Sequence, residues 1–222
     1  MKQIPKSTFT FLKDLKNNNH KIWFDANKEK YLSAKENLIE WTAELLEKIS
    51  KIEMLPPSEA KKHINRIYRD VRFSKDKTPY HTHFAVSVMR SADMNSKCGV
   101  YIHLQPGGSF FAGGVYMPSP EQLKLIRDGI DYDANPLHKI LNSKSFKDNF
   151  GGLHGERLVR PPKDFPADHE EIELLKMKQF LISKPFSDKE VLSDSFQNEI
   201  VKTYRESLKL FAYFDQALGF AE

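Results

Sequence analysis

The sequence is poor in cysteine and has no long hydrophobic segment. Cys98 is the only cysteine among the 222 residues, which excludes an intrachain disulfide and is typical of a protein from the reducing cytoplasm. No apolar run approaches the roughly 20 residues that a membrane helix needs. The start of the chain shows neither the apolar region nor the cleavage pattern of a secretory signal. We therefore expect a cytoplasmic protein with no membrane partner.

Motifs that would indicate a cofactor or a common catalytic device are also missing. The glycine-rich segment 105–114 has neither of the spacings that bind nucleotide phosphates, so its glycines predict turns. No serine lies in a G-x-S-x-G setting, and Cys98 has no histidine motif nearby in the sequence, which leaves nucleophilic catalysis without support. We predict that the protein uses no cofactor.

Helical periodicity marks both ends of the chain. Apolar residues recur at one-turn spacing over 28–49 and 195–217, which predicts two long helices. Asn27 is the expected N-cap of the first of these, and Ser7 is the expected cap of a shorter helix before it. The segment 119–122 combines a capping serine, a proline in the first turn and a glutamine three residues after the serine, which predicts a further helix start.

The middle of the chain alternates apolar and polar residues. The segments 84–89, 99–105 and 109–116 predict antiparallel strands, and the glycines at 107–108 predict a tight turn between the last two. The glycines at 113–114 would weaken an ordinary strand. They therefore predict a bulge or a close approach by another group.

Together these patterns predict a single α+β domain over the whole chain, with an antiparallel meander flanked by N-terminal and C-terminal helices. Residues 1–52 are expected to be helical, and residues 62–117 to hold a basic motif and the sheet. Residues 118–222 are expected to be helical and irregular, with a further strand near 178–183. Hydrophobic residues at 40% and charged residues at 29% fit a folded globular protein.

Positive charge is concentrated in one segment. The net charge of the chain is +4, but from Lys61 to His83 seven basic residues face two acidic ones, so that this segment carries +5 and the rest −1. Apolar residues such as Ile64, Ile67 and Phe73 are interspersed among these charges, which distinguishes the segment from an ordinary solvated charge run. We expect the apolar residues to hold the basic side chains close to the core.

The sequence allows two conformations for this segment. In a helix, Arg66, Arg69 and Arg72 would share an arc of about 120°. In a strand, Arg66 and Arg72 would face one way and Arg69 the other. Residues 73–80 predict a loop in both cases, because Pro79 disfavours a helical backbone in the residue before it.

The segment "RIYRDVRFSKDKTPY" resembles the motif R-x-x-R-D-x-R-F-x-x-D-K-x-x-Y of a family of conserved hypothetical proteins, a domain of unknown function found in bacteria and some fungi. The segments "NNNHKIWFDANKEKY" and "YIHLQPGGSFFAGGVYMPSPEQLKLIR" are similar to two further parts of that family. The resemblance implies one full-length domain and brings no activity, cofactor or catalytic residue. The matching motif positions are Arg66, Arg69, Asp70, Arg72, Phe73, Asp76, Lys77 and Tyr80.

The chemistry of these residues suggests an anion site. Arginine presents a planar fork of donors that matches carboxylate and phosphate groups. Converging guanidinium groups, with a lysine and neutral donors beside them, would bind a small ligand that carries such a group. The candidate ligand-binding residues are Arg66, Arg69, Arg72, Lys77 and Tyr80.

Fewer residues of the same region are candidates for catalysis or for metal binding. If the ligand is also a substrate, Asp70 or His81 is the candidate for proton transfer; the sequence leaves open whether the protein is an enzyme. His81 and His83 share one side of a strand, and His103 on a neighbouring strand would supply a third nitrogen. No H-E-x-x-H motif or cysteine cluster supports these histidines, so we predict no metal site.

Two alternatives to a small-ligand site remain open at this stage. In the first, the basic segment binds nucleic acid, with Tyr68, Phe73 or Tyr80 stacking on bases. In the second, the arginines form an internal ion-pair network with Asp70, Asp76 and acidic residues elsewhere. The sequence does not indicate an oligomeric state.

Overall fold

The computed structural model describes residues 2–91 and 98–219. The helices are α1 Lys6–Asn17, α2 Lys21–Ala26, α3 Lys28–Ser50, α4 Ala60–His63, α5 Pro120–Tyr132, α6 Asn135–Asn142, α7 Lys144–Phe150, α8 Ile172–Leu175, α9 Asp188–Val191 and α10 Phe196–Ala217. The strands are β1 Phe84–Val88, β2 Gly99–Leu104, β3 Ser109–Val115 and β4 Phe180–Phe186. None of the described helices is both long and apolar enough to span a membrane.

The four strands pair in chain order, β1-β2-β3-β4, as an antiparallel meander. This arrangement confirms the predicted α+β class, and β1, β2 and β3 agree with the three predicted strands to within one residue at each end. The predicted further strand is β4. The turn between β2 and β3 is closed by a hydrogen bond from the amide of Gly108 to the carbonyl of Gln105, 3.0 Å long.

The predicted close approach at 113–114 is also confirmed. Gly114 has a φ of +122°, and a Cβ atom there would lie 2.1 Å from the carbonyl oxygen of Phe180 on β4. A Cβ atom on Gly113 would lie 2.5 Å from the ring of Phe211. Packing therefore favours glycine at both positions, and backbone conformation favours it at 114 as well.

The two long predicted helices are confirmed as α3 and α10, whereas the predicted cap of the first helix is wrong. Helix α1 begins at Lys6, and Ser7 lies inside its first turn because Pro5 already provides the extended residue before the helix. Asn27 is the N-cap of α3 as predicted, but its side chain donates back to the carbonyl of Trp23 instead of capping α3.

The capping signature at 119–122 is confirmed at the start of α5. The Ser119 hydroxyl accepts from the amide of Gln122 at 3.2 Å, and the Gln122 side chain accepts from the amide of Ser119 at 2.9 Å. Helices α6 and α7 follow in a part of the chain without a clear apolar period. Each begins with a local start signal, Pro136 in the first turn of α6 and the Ser143 side chain as the cap of α7.

The contacts between residues divide the chain into two compact units. The first unit comprises Met1–Val88, Tyr101–Phe111 and Pro185–Lys202. The second comprises Met89–Val100, Ala112–Lys184 and Thr203–Glu222.

An aromatic cluster forms part of the core of the first unit. The ring of Phe11 on α1 packs against Phe24 on α2, Tyr31 on α3 and Phe84 on β1. Phe24 in turn stacks on Tyr80, with 4.0 Å between the ring centroids. The cluster thus anchors the C-terminal end of the basic segment to the N-terminal helices.

The core of the second unit contains an ion pair. Arg90 and Asp215 are both buried, with 3.0 Å between Arg90 Nη1 and Asp215 Oδ2. Asp215 also accepts from the amide of Cys98 at 2.8 Å, and the guanidinium of Arg90 lies over the ring of Phe211. This pair therefore ties together segments far apart in the chain.

Candidate functional site

Residues 64–68 of the basic segment are extended and form one side of an irregular hairpin. Antiparallel bridges pair Ile64 with Val86 and Tyr68 with Tyr80, and the amide of Asn65 donates to Ala85 at 2.9 Å. Of the two conformations that the sequence allowed, the structure therefore has the extended one.

The hairpin contains a bulge that holds two of the candidate histidines. Between the two bridges, one side of the hairpin has three residues and the other has five. The two additional residues fall in the stretch 81–85, which contains His81 and His83. A bulge of this kind redirects side chains and is common beside functional sites.

The three candidate histidines lie together in the first unit. The ring centroids of His81 and His83 are 4.9 Å apart, and those of His83 and His103 are 4.1 Å apart. His103 is fixed at both ring nitrogens, since Nδ1 is 3.0 Å from the Tyr101 hydroxyl and Nε2 is 2.9 Å from Gln105 Oε1. We refer to His81, His83 and His103 as the histidine cluster.

Burial keeps the histidine cluster neutral near pH 7. Burial first, and then the neighbouring His103 and His81, lower the pKa of His83 to about 4. The pKa of His81 is lowered first by burial and then by the positive charges of Arg69 and Arg66. Burial also lowers the pKa of His103, against the opposing hydrogen bond to Gln105. Each neutral imidazole offers one N–H donor and one acceptor nitrogen.

His81 and His83 have ring nitrogens available to a ligand. Within residues 2–91 and 98–219, neither side chain makes a hydrogen bond, and both are partly exposed. Arg66 is exposed and likewise makes no hydrogen bond or ion pair with a described residue. The structure therefore places the guanidinium of Arg66 near the imidazole of His81, which in turn lies beside that of His83.

Arg69 stabilises the loop that follows it. Its Nη1 donates to Asp76 Oδ2 at 2.6 Å, to the Thr78 carbonyl at 2.9 Å and to the Thr78 hydroxyl. The amide of Thr78 donates to Asp76 at 2.9 Å, and hydrogen bonds from Thr78 and then Arg69 hold the pKa of the Asp76 carboxyl below its ordinary value. We call residues 69–79, which these contacts close, the stapled loop.

Arg72 pairs with a different carboxylate. Its Nε lies 3.0 Å from Asp70 Oδ1, and its Nη2 lies 2.7 Å from Asp70 Oδ2, in a bidentate pair that is exposed to solvent. The hydrogen bonds from Arg72 lower the pKa of Asp70. Asp70 is thus ionised and already occupied at neutral pH, which favours His81 over Asp70 as the candidate for proton transfer.

The remaining two candidates, Lys77 and Tyr80, make contacts within the loop and within the core. Lys77 Nζ donates to the carbonyl of Val71 at 2.9 Å within the stapled loop. Tyr80 is 4% exposed, its ring lies against Phe24, and its backbone amide and carbonyl are both bound by the side chain of Asn19. Tyr80 presents no free ring face for a base, which corrects that part of the nucleic-acid alternative.

The structure therefore separates the five candidate ligand-binding residues by role. Arg66 and Arg69 lie beside His81, and Arg72 lies beside Asp70. Sequence reasoning missed Tyr101 and Gln105, which fix His103 in place. The signal for them was the alternation of β2, since residues 101, 103 and 105 share one side of a strand.

A surface cavity of about 590 Å³ lies away from these residues. It is lined by the C-terminal part of α3, the loop after it and α4, with Leu46, Leu55 and Pro56 among its apolar walls. Glu47 and Lys51 are the only pair of opposite charges among its lining residues, and no arginine lines it. Its composition offers no match for an anionic ligand.

We predict that the purified protein carries no stoichiometric transition metal. Among the described residues, no group of three or more His, Cys, Asp or Glu side chains is arranged to hold a metal ion, and both nitrogens of His103 already have partners. Elemental analysis of the protein after dialysis against buffer without chelator tests this expectation. A content of about one zinc per chain would contradict it and make the histidine cluster a ligand set.

Comparison with known proteins gives a family. Residues 7–213 match the model of a family described as conserved hypothetical protein (DUF2461), and the match includes the whole basic segment. Neither a curated protein nor a solved structure matches the chain. The family match does not indicate a ligand or a reaction.

Proposed function

The chain belongs to the conserved hypothetical protein family DUF2461, and we propose that it binds a small ligand carrying a phosphate or carboxylate group beside the histidine cluster. Arg66 supplies the charge in this proposal, and His81 and His83 supply neutral hydrogen-bond donors.

One observation carries the proposal. The guanidinium of Arg66 is unpaired among the described residues and lies close enough to His81 to lower the pKa of its imidazole, while the nitrogens of His81 and His83 have no partner. A cation beside one imidazole, with a second imidazole next to the first, supplies the charge and the donors that an oxyanion needs. Arg69 contributes further, because its contacts in the stapled loop use only Nη1.

The internal ion-pair alternative accounts for part of the basic segment. Arg69 is paired with Asp76 and Arg72 with Asp70, so these two residues have a structural role whether or not a ligand binds. Because the side chain of Asp76 is 60% exposed, replacing Arg69 by alanine leaves a solvated carboxylate and should not unfold the protein. Arg66 has no such contact with a described residue, which makes it the residue that discriminates between the two readings.

Replacing Arg66 by alanine should weaken the binding of sulfate or pyrophosphate by about 10- to 150-fold, the range for a hydrogen bond to a charged group. Isothermal titration calorimetry on the parent and the variant measures this loss, and thermal melting checks that the variant is folded. Arg160→Ala, at an exposed arginine of the second unit, is the matched control and should bind as the parent does. If the parent binds neither anion, or if Arg66→Ala binds as tightly as the parent, the proposal is wrong.

Anion binding should also take up protons through the histidine cluster. A bound anion favours the imidazolium form of His81 and His83, so it raises their lowered pKa values, and affinity should increase as the pH falls from about 8 to about 5. The charged groups that act on His81, Arg69 and Arg66, oppose its protonation in the free protein and do so less once an anion neutralises them, whereas burial, His103 and His81 oppose the protonation of His83. Sulfate is the suitable probe, because its own charge does not change over this range.

Calorimetric titrations of sulfate at a fixed pH, in buffers with different heats of ionisation, give the number of protons taken up. We expect a positive number for the parent and a smaller one for His83→Gln. Proton release on binding would exclude the histidine cluster from the site. The same conclusion would follow if His83→Gln and the double variant His83→Gln/His81→Gln both took up as many protons as the parent.

A further inference from the structure

The stapled loop is held by its own hydrogen bonds, although most of its residues are exposed. The Tyr68–Tyr80 bridge closes its base, and hydrogen bonds from Arg69 and Lys77 fix its interior. A loop that is ordered in the free protein loses little conformational entropy when it binds a partner. Binding through the side chains that this loop exposes therefore costs little conformational entropy.

The middle of this loop exposes an aromatic ring. Phe73 is 95% exposed, and the guanidinium carbon of Arg72 lies 5.9 Å from its ring centroid. The ring contributes no burial to the fold, so its position is not explained by packing. The guanidinium of Arg72 lies over one face of the ring, and the other face remains available to a flat group.

The charge of this region complements an anionic partner. Residues 66–78 contain five basic and two acidic side chains, a net charge of +3. The two carboxylates are already bound to Arg69 and Arg72, and Lys75 is exposed and makes no ion pair within the described part of the chain.

We propose that the stapled loop binds single-stranded nucleic acid, with a base stacked on Phe73 and backbone phosphates on Arg72 and Lys75. Stacking on an exposed aromatic ring beside basic side chains is the arrangement by which single strands are bound without sequence preference. A membrane surface fits less well, since the neighbours of Phe73 in the loop, Arg72 and Ser74, are polar and a single ring gives little apolar area to insert. This proposal goes beyond the small-ligand site and depends on different side chains.

The test measures fluorescence anisotropy of a labelled oligothymidylate of about 15 nucleotides, at low salt, with the full chain. Phe73→Ala should weaken binding by about 5- to 150-fold, the range for loss of one base–aromatic stack. Lys75→Gln should weaken it and reduce the slope of log affinity against log salt by about 0.7, the value for one phosphate contact to a single strand. Because Phe73 is almost fully exposed, the variant should melt at the same temperature as the parent.

Two controls complete the design. Tyr132→Ala removes a ring that is 92% exposed in the second unit and should not change binding, while Phe73→Trp should keep it. The proposal is overturned if the parent does not bind the oligonucleotide, or if Phe73→Ala binds it as the parent does. It is also overturned if the parent binds phosphatidylserine vesicles but not the oligonucleotide, and if Phe73→Ala loses the binding to vesicles. Arg66→Ala tests whether this site is distinct from the small-ligand site. If the variant loses sulfate binding and keeps oligonucleotide binding, the two sites are separate.

Discussion

Replacing Arg90 by alanine should lower the free energy of unfolding by about 3–5 kcal/mol, the cost of leaving one partner of a buried ion pair uncompensated. Arg90 and Asp215 are 7% and 5% exposed. Arg90 Nη1 lies 3.0 Å from Asp215 Oδ2 and also donates to the Cys98 carbonyl at 3.2 Å. Without the guanidinium, a buried carboxylate loses its charged partner, and this loss is costly away from bulk solvent.

Urea denaturation followed by circular dichroism measures this loss. The matched control is Lys124→Ala, which breaks an exposed pair with Asp128, 2.6 Å long, and should leave the midpoint nearly unchanged. Replacing Arg90 and Asp215 together by apolar residues of similar size should recover much of the stability, since a buried pair is worth little relative to apolar packing. An Arg90→Ala protein as stable as the Lys124→Ala protein would refute the argument.

Replacing Gly114 by alanine should destabilise the protein by about 2–6 kcal/mol, from overpacking and backbone strain together. The new Cβ atom would lie 2.1 Å from the carbonyl oxygen of Phe180, at a φ of +122° that residues with a side chain rarely adopt. The clash is with backbone, so no rotamer change relieves it. Strands β3 and β4 would have to separate locally.

Gly107→Ala is the control for this prediction. Gly107 also has a positive φ, +72°, but a Cβ atom there meets nothing within 4 Å. Its replacement should cost only about 1–2 kcal/mol, the conformational penalty by itself. Thermal and urea unfolding of the two variants side by side give the difference, and equal losses in both would mean that the close approach to Phe180 is not what requires Gly114.

The sequence determined those elements whose signals are local. The apolar period of 28–49 gave α3, the alternation of three segments gave β1, β2 and β3, and the spacing of Ser119 and Gln122 gave the start of α5. These predictions succeed because helix and strand periods, caps and tight turns depend on residues within a few positions of one another. The cap at Ser7 failed for a reason equally local, since Pro5 already fixes the helix start.

The tertiary structure decided what the basic segment became. Its residues fit a helix and a strand about equally, and pairing with β1, for example the 2.9 Å hydrogen bond from Asn65 to Ala85, selects the extended form. The same pairing creates the bulge that brings His81 and His83 to His103. Which carboxylate each arginine binds follows from the path of the loop, and the ion pair of Arg90 with Asp215 joins residues that are more than 100 positions apart. Such contacts leave no signal in sequence spacing, because they arise only when the sheet and its neighbouring segments have packed.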